Sequence, residues 1–557
     1  MLTVYFIGCD NTSNKTITEI DFKATHAKYN EAAYIPPQCY TKTVDSNNNA
    51  HNPCFSCHIN SDAPNYINDP DLQEVYDMSE YSRKNRYTNL FKDKTEAVSK
   101  IGDKEILAYV RQNNYKKDDT LLLAKKLQNA LPAEWDVNEN GKWDGYTPDC
   151  YFNFDDEGFD KKPNGNYSGW RAFGYYPFLG TFWPTNGSTD DVLIRLPKIF
   201  REDSNGDFNL SIYKTNLAIV ESLIKKSDIE IDTMDENLLA VDLNQDGQLS
   251  TTNMIKYNWV KPQYDLATQT ISGFSMSYVG KAKELLKTNE YLIAPGLYPK
   301  GTEFLHTVRY LDINENNTSI KMASRMKELR YGKKSYWNSY AQLQNASLAE
   351  IKEKDVFPDR LRKILGDTEE GLSTGLGWTY QGFIEDEHGN LRPQNYEETR
   401  FCIGCHSGIG AIADSTFAIQ RKFDKNALQQ GWYHWSQKPD GLKNIPEPKT
   451  KDGKNEYSFY LEKNRAGDEF RANMEVIEKF FDEENNLKEK EIKKLNNDIT
   501  HLIYPSTQRA LELNKAYKVI VDEQSYIYGR DANVKPIENL HKKVELGQPT
   551  HVNRVEF

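Results

Sequence analysis

The chain has 557 residues, a formal net charge of -12, 38% hydrophobic residues and 12% aromatic residues. This length and aromatic content can build substantial cores, which excludes disorder throughout, and no apolar run reaches the ~18 residues of a membrane-spanning helix. The acidic balance argues against nucleic acid and anionic lipid surfaces as primary partners and leaves basic proteins and cations open, although ordinary solubility also accounts for it.

Residues 1–20 look like the end of a signal segment followed by a polar tether. The run from Phe6 to Cys9 resembles a lipobox, in which a bacterial lipoprotein is cleaved before the cysteine and acylated on it. The stretch has no basic region and is too short for a full signal. We therefore predict a truncated lipoprotein start with Cys9 as the lipidated residue, and an accidental likeness is the alternative.

Residues 21–134 are predicted to be a helical region that opens with irregular, proline-containing sequence. Helical patterns cover residues 106–110 and 121–131, and Pro132 ends the second of them.

Residues 135–378 are predicted to be a mixed α+β body. Strand-like sequence occupies residues 192–196 and 304–311, whereas the sequence around these segments is rich in Gly and Asn. Residues 170–183 are dense in aromatic side chains, which either line a pocket or form core.

Two loops of this body place oxygen-bearing side chains at the spacing of an EF-hand calcium loop, with glycine at the sixth position. Position twelve is Thr147 in one loop and Asn253 in the other instead of glutamate, so a remote carboxylate such as Asp149 or Asp155 would have to substitute. Weaker versions begin at Asp203 and Asp312. Plain Asx turns are the alternative. The candidate calcium-binding residues are Asp136, Asn138, Asn140, Lys142, Asp144, Asp242, Asn244, Asp246, Gln248 and Ser250.

Residues 379–465 and 466–557 complete the chain. The last section is charged and helical in pattern, with helices predicted over residues 467–497 and 506–526. No repeat of fixed period is present.

Two C-x-x-C-H pentapeptides carry the most specific chemistry, and they comprise Cys54, Cys57, His58, Cys402, Cys405 and His406. In covalent haem attachment the two thiols bind the porphyrin and the adjacent imidazole binds its iron. A redox dithiol explains neither the histidine nor the repetition. An all-thiolate zinc site would require that the two motifs meet in space. We predict two covalent haems, in regions 21–134 and 379–465.

On these pentapeptides the chain resembles the c-type cytochromes, and more loosely the large dihaem lipoprotein cytochromes of bacterial cell envelopes. The resemblance implies a periplasmic or cell-surface location, possible lipid anchoring in the outer or inner membrane, and redox proteins of the envelope as partners. With the motif cysteines and Cys9 assigned, Cys39 and Cys150 remain, and in an oxidising compartment we predict a disulfide between them. Two buried free thiols are the alternative.

The fold class predicted is α+β, a large mixed body with short haem-bearing helices and a helical C-terminal section. His58 and His406 are the predicted fifth ligands of the two irons. Candidates for the sixth position are His51, His306 and His434, although a lone histidine on a strand is more often a core residue.

A filled sixth position favours electron transfer, and an open one favours catalysis. We predict a dihaem protein that carries electrons between envelope partners. The alternative is a dihaem enzyme, peroxidase-like or acting on a small sulfur or nitrogen compound, with one open haem.

Overall fold

The structure is a computed structural model, and it describes residues 30, 32–44, 53–66, 74–179, 184–314, 316, 319–357, 360, 364–406, 411–438, 441–464 and 472–556. Within these residues the α-helices are α1 Thr95–Ser99, α2 Asp103–Arg111, α3 Leu122–Asn129, α4 Leu210–Lys225, α5 Glu236–Leu239, α6 Lys281–Lys287, α7 Tyr340–Val356, α8 Tyr396–Ile403, α9 Glu456–Asn464, α10 Met474–Phe480, α11 Glu489–Asn497, α12 Thr500–Ile503 and α13 Thr507–Glu523.

The strands are β1 Lys116–Lys117, β2 Thr120–Leu121, β3 Phe159–Lys161, β4 Tyr167–Phe173, β5 Thr189–Arg195, β6 Ile229–Asp235, β7 Thr251–Ile255, β8 Gln263–Asp265, β9 Thr270–Ser272, β10 Glu303–Ile313, β11 Ile320–Lys334, β12 Gly366–Asp367, β13 Gly371–Ser373, β14 Trp378–Glu385 and β15 Leu391–Pro393. Nine of them form one antiparallel sheet in the order β12-β13-β14-β11-β10-β5-β4-β3, with β15 paired to β14.

Both faces of this sheet are covered, and strand β5 is buried along its whole length. Successive side chains of a strand point to opposite faces, so Val192 and Ile194 join the core that contains α4, while Leu193 joins the core that contains α3. By the same alternation, the adjacent residues Asp190 and Asp191 lie on opposite faces of the sheet. Each of these aspartates contacts a histidine that lines one of the two cavities described below.

The predicted α+β class is confirmed, as is the helical C-terminal section. The helices predicted near residues 106–110 and 121–131 are α2 and α3. The strand predicted over residues 192–196 overlaps β5 and extends one residue past its end, and the strand predicted over residues 304–311 lies within β10. The described part of the helix predicted over residues 467–497 is instead two helices, α10 and α11, and residues 467–471 lie outside the described residues. Between them Asp482 accepts hydrogen bonds from the backbone N–H groups of Glu484 and Asn486, which closes an Asx turn that a continuous helix cannot contain.

The first described residues pack against the end of the chain. Isolated bridges join Thr41 to Leu540 and Lys84 to Lys543. A small core of tyrosines, including Tyr40 and Tyr87, covers the contact. The segment that carries the first C-x-x-C-H motif is therefore anchored by the C-terminal section. No helix among the described residues is long and apolar enough to cross a membrane.

Candidate functional site

The two C-x-x-C-H motifs adopt the same backbone turn. The N–H of His58 donates to the carbonyl of Cys54 at 2.8 Å, and the N–H of His406 donates to the carbonyl of Cys402 at 3.0 Å. Residues Pro53–Ser56 form a 3-10 helix. Cys402 lies in the last turn of α8, whose N-cap residue Asn395 accepts a hydrogen bond from the N–H of Glu398. One tight turn thus presents both thiols and the imidazole in each motif.

The imidazole of His406 is held in one tautomer. Its Nδ1 lies 2.9 Å from the carbonyl oxygen of Ser415. A carbonyl only accepts, so Nδ1 carries the proton and Nε2 carries the lone pair in the neutral ring. Burial lowers the pKa of His406 to about 4. The hydrogen bond to Ser415 raises this pKa, whereas the neighbouring Arg330 and His306 lower it further. The ring is therefore neutral at physiological pH, which is the form that binds a metal.

A buried turn fixes the Ser415 carbonyl. Asp414 and Ser415 both have positive φ, 48° and 61°, a conformation that costs energy for residues other than glycine. Asp414 accepts a hydrogen bond from the N–H of Tyr298 at 2.9 Å and pairs with Lys334 at 2.5 Å. Both partners of this ion pair are almost completely buried. The pair holds the strained turn that orients His406.

His406 and Cys402 line a cavity of about 90 Å³ that is open to solvent. Its wall is largely aromatic, with polar groups at a few points. Further lining residues that matter below are Tyr175, Phe178, His306, Arg330 and Phe417.

His306, one of the three candidate distal ligands, lies on β10 and lines the same cavity as His406. Its Nε2 is 3.1 Å from Oδ2 of Asp190, which also accepts a hydrogen bond from the hydroxyl of Tyr175. Because the carboxylate accepts, Nε2 of His306 carries the proton in this arrangement. The structure thus brings together one predicted axial histidine and one candidate distal histidine.

Arg330 supplies positive charge at the cavity wall. Its Nε pairs with Oε2 of Glu328 at 2.9 Å, and Arg530 pairs with the same oxygen at 2.9 Å. Burial opposes ionisation of Glu328, but the two guanidinium groups outweigh it and lower its pKa to about 2. Two cations near Cys402 thus share one carboxylate.

The structure brings the two motifs to the same short segment of chain. A Cβ added to Gly404 would lie 2.1 Å from the carbonyl oxygen of Tyr34, so the second motif packs directly on this segment. The 3-10 helix Pro37–Tyr40 contacts Pro53–Ser56 of the first motif. Burial raises the pKa of Cys39, and nearby Cys54 and Cys405 raise it further. Among the described residues, no group of three or more His, Cys, Asp or Glu side chains is arranged to hold a metal ion.

The disulfide predicted between Cys39 and Cys150 is not formed, because the fold separates the two residues. Cys39 lies between the two motifs, whereas Cys150 is completely buried in the core beneath α3 with Trp135. Both are free thiols.

His434 does not line the cavity of His406. Its Nε2 is 2.7 Å from Oδ2 of Asp191, on the opposite face of the sheet, and its Nδ1 accepts from the N–H of Ser436 at 3.1 Å. Both ring nitrogens are thereby used within the protein. His51 and Cys9 lie outside the described residues.

The two stronger candidate calcium loops, which begin at Asp136 and Asp242, are each closed by a buried glutamate from outside the loop. Oε1 and Oε2 of Glu369 accept from the N–H groups of Asp144 and Val137. Glu236 does the same for Ser250 and Leu243. Neither Asp149 nor Asp155 supplies the closing carboxylate. Asp149 pairs with Arg195, and Asp155 accepts a hydrogen bond from the N–H of Phe159 in its own turn.

Hydrogen bonds inside both loops satisfy their side-chain oxygens. Asp136 accepts from the N–H of Gly141 at 2.6 Å, and Asp242 accepts from that of Gly247 at 2.9 Å. The weaker loop at Asp203 is an Asx turn in which Asp203 accepts from the N–H groups of Asn205 and Asp207. Calcium at the first two loops stays a prediction.

Several residues of the site carry no sequence signature. Ser415, Asp190 and Glu369 act through contacts between segments that are distant in sequence. The sequence did contain one signal: Asp190 and Asp191 directly precede the apolar run Val192 to Ile194, and buried carboxylates require partners.

Comparison with known proteins identifies relatives. A protein-family model with the description "-like lipoprotein" matches residues 23–500. A lipoprotein of Aquifex aeolicus (strain VF5), named as uncharacterized, is 31% identical over 580 aligned positions that cover 95% of this chain and 89% of the relative. No solved structure matches the chain significantly.

The resemblance to the c-type cytochromes as a family is therefore wrong. It rested on two pentapeptides, whereas the lipoprotein match extends over most of the chain. A short attachment motif is compatible with many folds, so it identifies a chemistry more readily than a family.

Proposed function

The chain belongs to this lipoprotein family, and on that premise we propose that it is a two-haem redox protein that passes electrons between partners in the cell envelope. Membership of a lipoprotein family implies a lipid-anchored position in the envelope. Placement at the periplasmic or the outer surface, and acylation at Cys9, are parts of the proposal.

The observation that carries the proposal is the tautomer of His406. The Ser415 carbonyl holds the proton on Nδ1, so the lone pair of Nε2 is available on a ring that lines an aromatic cavity together with Cys402. Iron-binding histidines are commonly oriented by such a second hydrogen bond. The residues present therefore fit a haem, which Cys402 and Cys405 would attach and His406 would ligate.

The remaining parts of the cavity suit the same group. Phe178 and Phe417 offer apolar contact for a porphyrin face, and Arg330 offers a cation for a haem carboxylate. When bound, haem supplies reversible one-electron chemistry at iron. The first motif forms the same turn with Cys54, Cys57 and His58, which would hold the other haem. Both motifs pack on the segment of residues 34–40.

A specific observation favours a second candidate function, an enzyme with an open haem. Nε2 of His306 is bound to Asp190, so this nitrogen carries a proton in the observed arrangement and is not available as an iron ligand. His306, Tyr175 and Arg330 would then be polar groups around a vacant coordination position, where a small sulfur or nitrogen compound could react.

Mass spectrometry of the full chain, produced in a bacterial periplasm with haem-attachment enzymes, tests the proposal. We expect two haems that stay bound after denaturation in detergent. The double variants C54A/C57A and C402A/C405A should each lose one haem. The control C150A should keep both, because Cys150 is buried in a core that contains no residue of either motif. A chain without covalent haem, or with zinc in its place, would refute the proposal.

Absorption spectra then separate the two candidate functions. Two low-spin haems that do not respond to cyanide, or to carbon monoxide after reduction, support the electron carrier. A high-spin haem that binds these ligands and disappears in C402A/C405A supports the enzyme.

A further inference from the structure

The opposite face of the sheet carries a second cavity, of about 400 Å³, which the proposed function does not use. It lies over β10 and β11 and is separated from the His406 cavity by the sheet. The residues that determine its chemistry are Lys116, Phe152, Arg309, Lys321, Trp435 and Lys438.

The cavity wall is strongly cationic in an acidic protein. Four of its side chains are Lys or Arg, and none of the described lining residues is Asp or Glu. Two carboxylates that are not among the lining residues approach these cations: Asp312 lies 3.3 Å from Lys321, and Asp191 lies 3.9 Å from Arg309. By its composition, the described lining of the cavity is therefore cationic. Such a concentration of charge in a concave surface attracts anions.

Arg309 lies at the base of the cavity and is 6% exposed. Its Nε donates to Oγ1 of Thr307 at 3.0 Å, and its Nη1 donates to the carbonyl of Ser324 at 2.8 Å. Its guanidinium lies 5.0 Å from the ring centre of Phe152. The group is held in place before any ligand arrives, which reduces the entropy cost of binding.

Apolar groups share the wall with these cations. Phe152 and Trp435 present aromatic surface, and Met322 and Met326 present polarizable thioethers. The volume is larger than an inorganic ion needs and is of the size that binds small organic molecules.

We propose that this cavity is a binding site for a small organic anion that carries a ring, with a carboxylate or sulfonate directed to the cationic wall. The aromatic and thioether side chains would contact the ring. The site does not involve the proposed haems, so a negative result in the benzoate test and a negative result in the haem test can be distinguished.

Isothermal titration calorimetry of the full chain with sodium benzoate tests the proposal, with benzyl alcohol as the uncharged comparison. We expect one benzoate bound per chain, at least tenfold more tightly than benzyl alcohol. Sodium sulfate should compete weakly. Equal affinity for benzoate and benzyl alcohol, sulfate as the tighter ligand, or no binding at millimolar benzoate would each overturn the proposal.

Substitutions in the cavity wall test whether benzoate binds in this cavity. Arg309→Met should reduce benzoate affinity at least tenfold. Since Arg309 is buried and its loss can impair folding, Lys321→Gln provides a second test at the rim, with an expected loss of about threefold. Lys333→Gln removes an exposed lysine from the same strand outside the cavity and is expected to leave binding unchanged. Benzoate binding that is unaffected by K321Q and R309M in folded protein would place the ligand elsewhere and refute the assignment.

Discussion

His306 and Asp190 are diagonal neighbours on strands β10 and β5, and a 3.1 Å contact joins Nε2 of the histidine to Oδ2 of the aspartate. The next residue, Asp191, makes the equivalent contact with His434 on the other face of the sheet, at 2.7 Å. Two adjacent carboxylates therefore orient two histidines that line two different cavities.

If the chain carries the two proposed haems, Asp190→Asn is expected to change the spectrum of only one of them. The substitution keeps the shape of the side chain but removes the charge that holds a proton on Nε2 of His306, so the surroundings of the Cys402 to His406 haem change. Absorption and electron paramagnetic resonance spectra of the haem-loaded protein measure this effect. Asp191→Asn is the matched control and should leave both haem spectra unaltered. Identical spectra for D190N and wild type would contradict the assignment of Asp190 to the haem cavity.

Gly404→Ala should impair the second motif. The new Cβ would lie 2.1 Å from the carbonyl oxygen of Tyr34, so the turn or the segment that it packs on has to move. We expect a loss of stability of about 1–3 kcal/mol, typical of overpacking. We also expect incomplete attachment of one haem. Denaturant unfolding and mass spectrometry measure the two effects. Gly453→Ala is a control, since a Cβ there meets no atom within 4 Å. It retains the strain of a positive φ, 83°, but should leave haem attachment complete.

Lys334→Met should destabilise the protein by about 3–5 kcal/mol, the usual cost of leaving one partner of a buried ion pair without the other. The unpaired Asp414 would no longer hold the turn that positions Ser415 against His406. The double variant K334M/D414N should recover part of the loss in denaturant unfolding. If the double variant were as unstable as the sum of the two single variants, Lys334 and Asp414 would not be coupled.

Lys327 should make stability depend on pH. Burial lowers its pKa from 10.5 to about 7, while its Nζ donates to the carbonyl of Gly187 and lies over the ring of Tyr517. Between pH 7 and 10.5 the unfolded chain binds a proton that the folded protein does not. Stability therefore rises with pH in this window, by up to about 1.4 kcal/mol per pH unit from this group. Thermal unfolding of wild type and Lys327→Met should differ in this slope, and parallel pH profiles would contradict the prediction.

Calcium should raise the melting temperature if the two glutamate-closed loops bind it. At a calcium concentration of 100 times Kd, one site adds about 2.7 kcal/mol to the free energy of unfolding. Asp242→Ala should reduce the effect, because it removes the first side chain of one loop. Asp203→Ala, in an Asx turn, is the control that should not. A melting temperature that is the same in calcium and in EDTA would exclude the ion from both loops.

The sequence by itself determined the local features of this protein. Short apolar runs rich in β-branched and aromatic residues specify β5 and β10, and the amphipathic run before Glu523 specifies α13. The pentapeptides at Cys54 and Cys402 specify two similar turns. Hydrophobic periodicity and tight-turn geometry depend on neighbours within a few residues, so they can be read along the chain.

The tertiary structure alone decided which of these features meet. It joined His306 to the cavity of His406, assigned His434 to the opposite face, and separated Cys39 from Cys150. It also supplied Glu236 and Glu369 as the closing carboxylates of loops whose own sequences lack one. These contacts depend on the register of β5 against β10 and on the packing of remote segments, and a one-residue change of register would move every side chain to the other face.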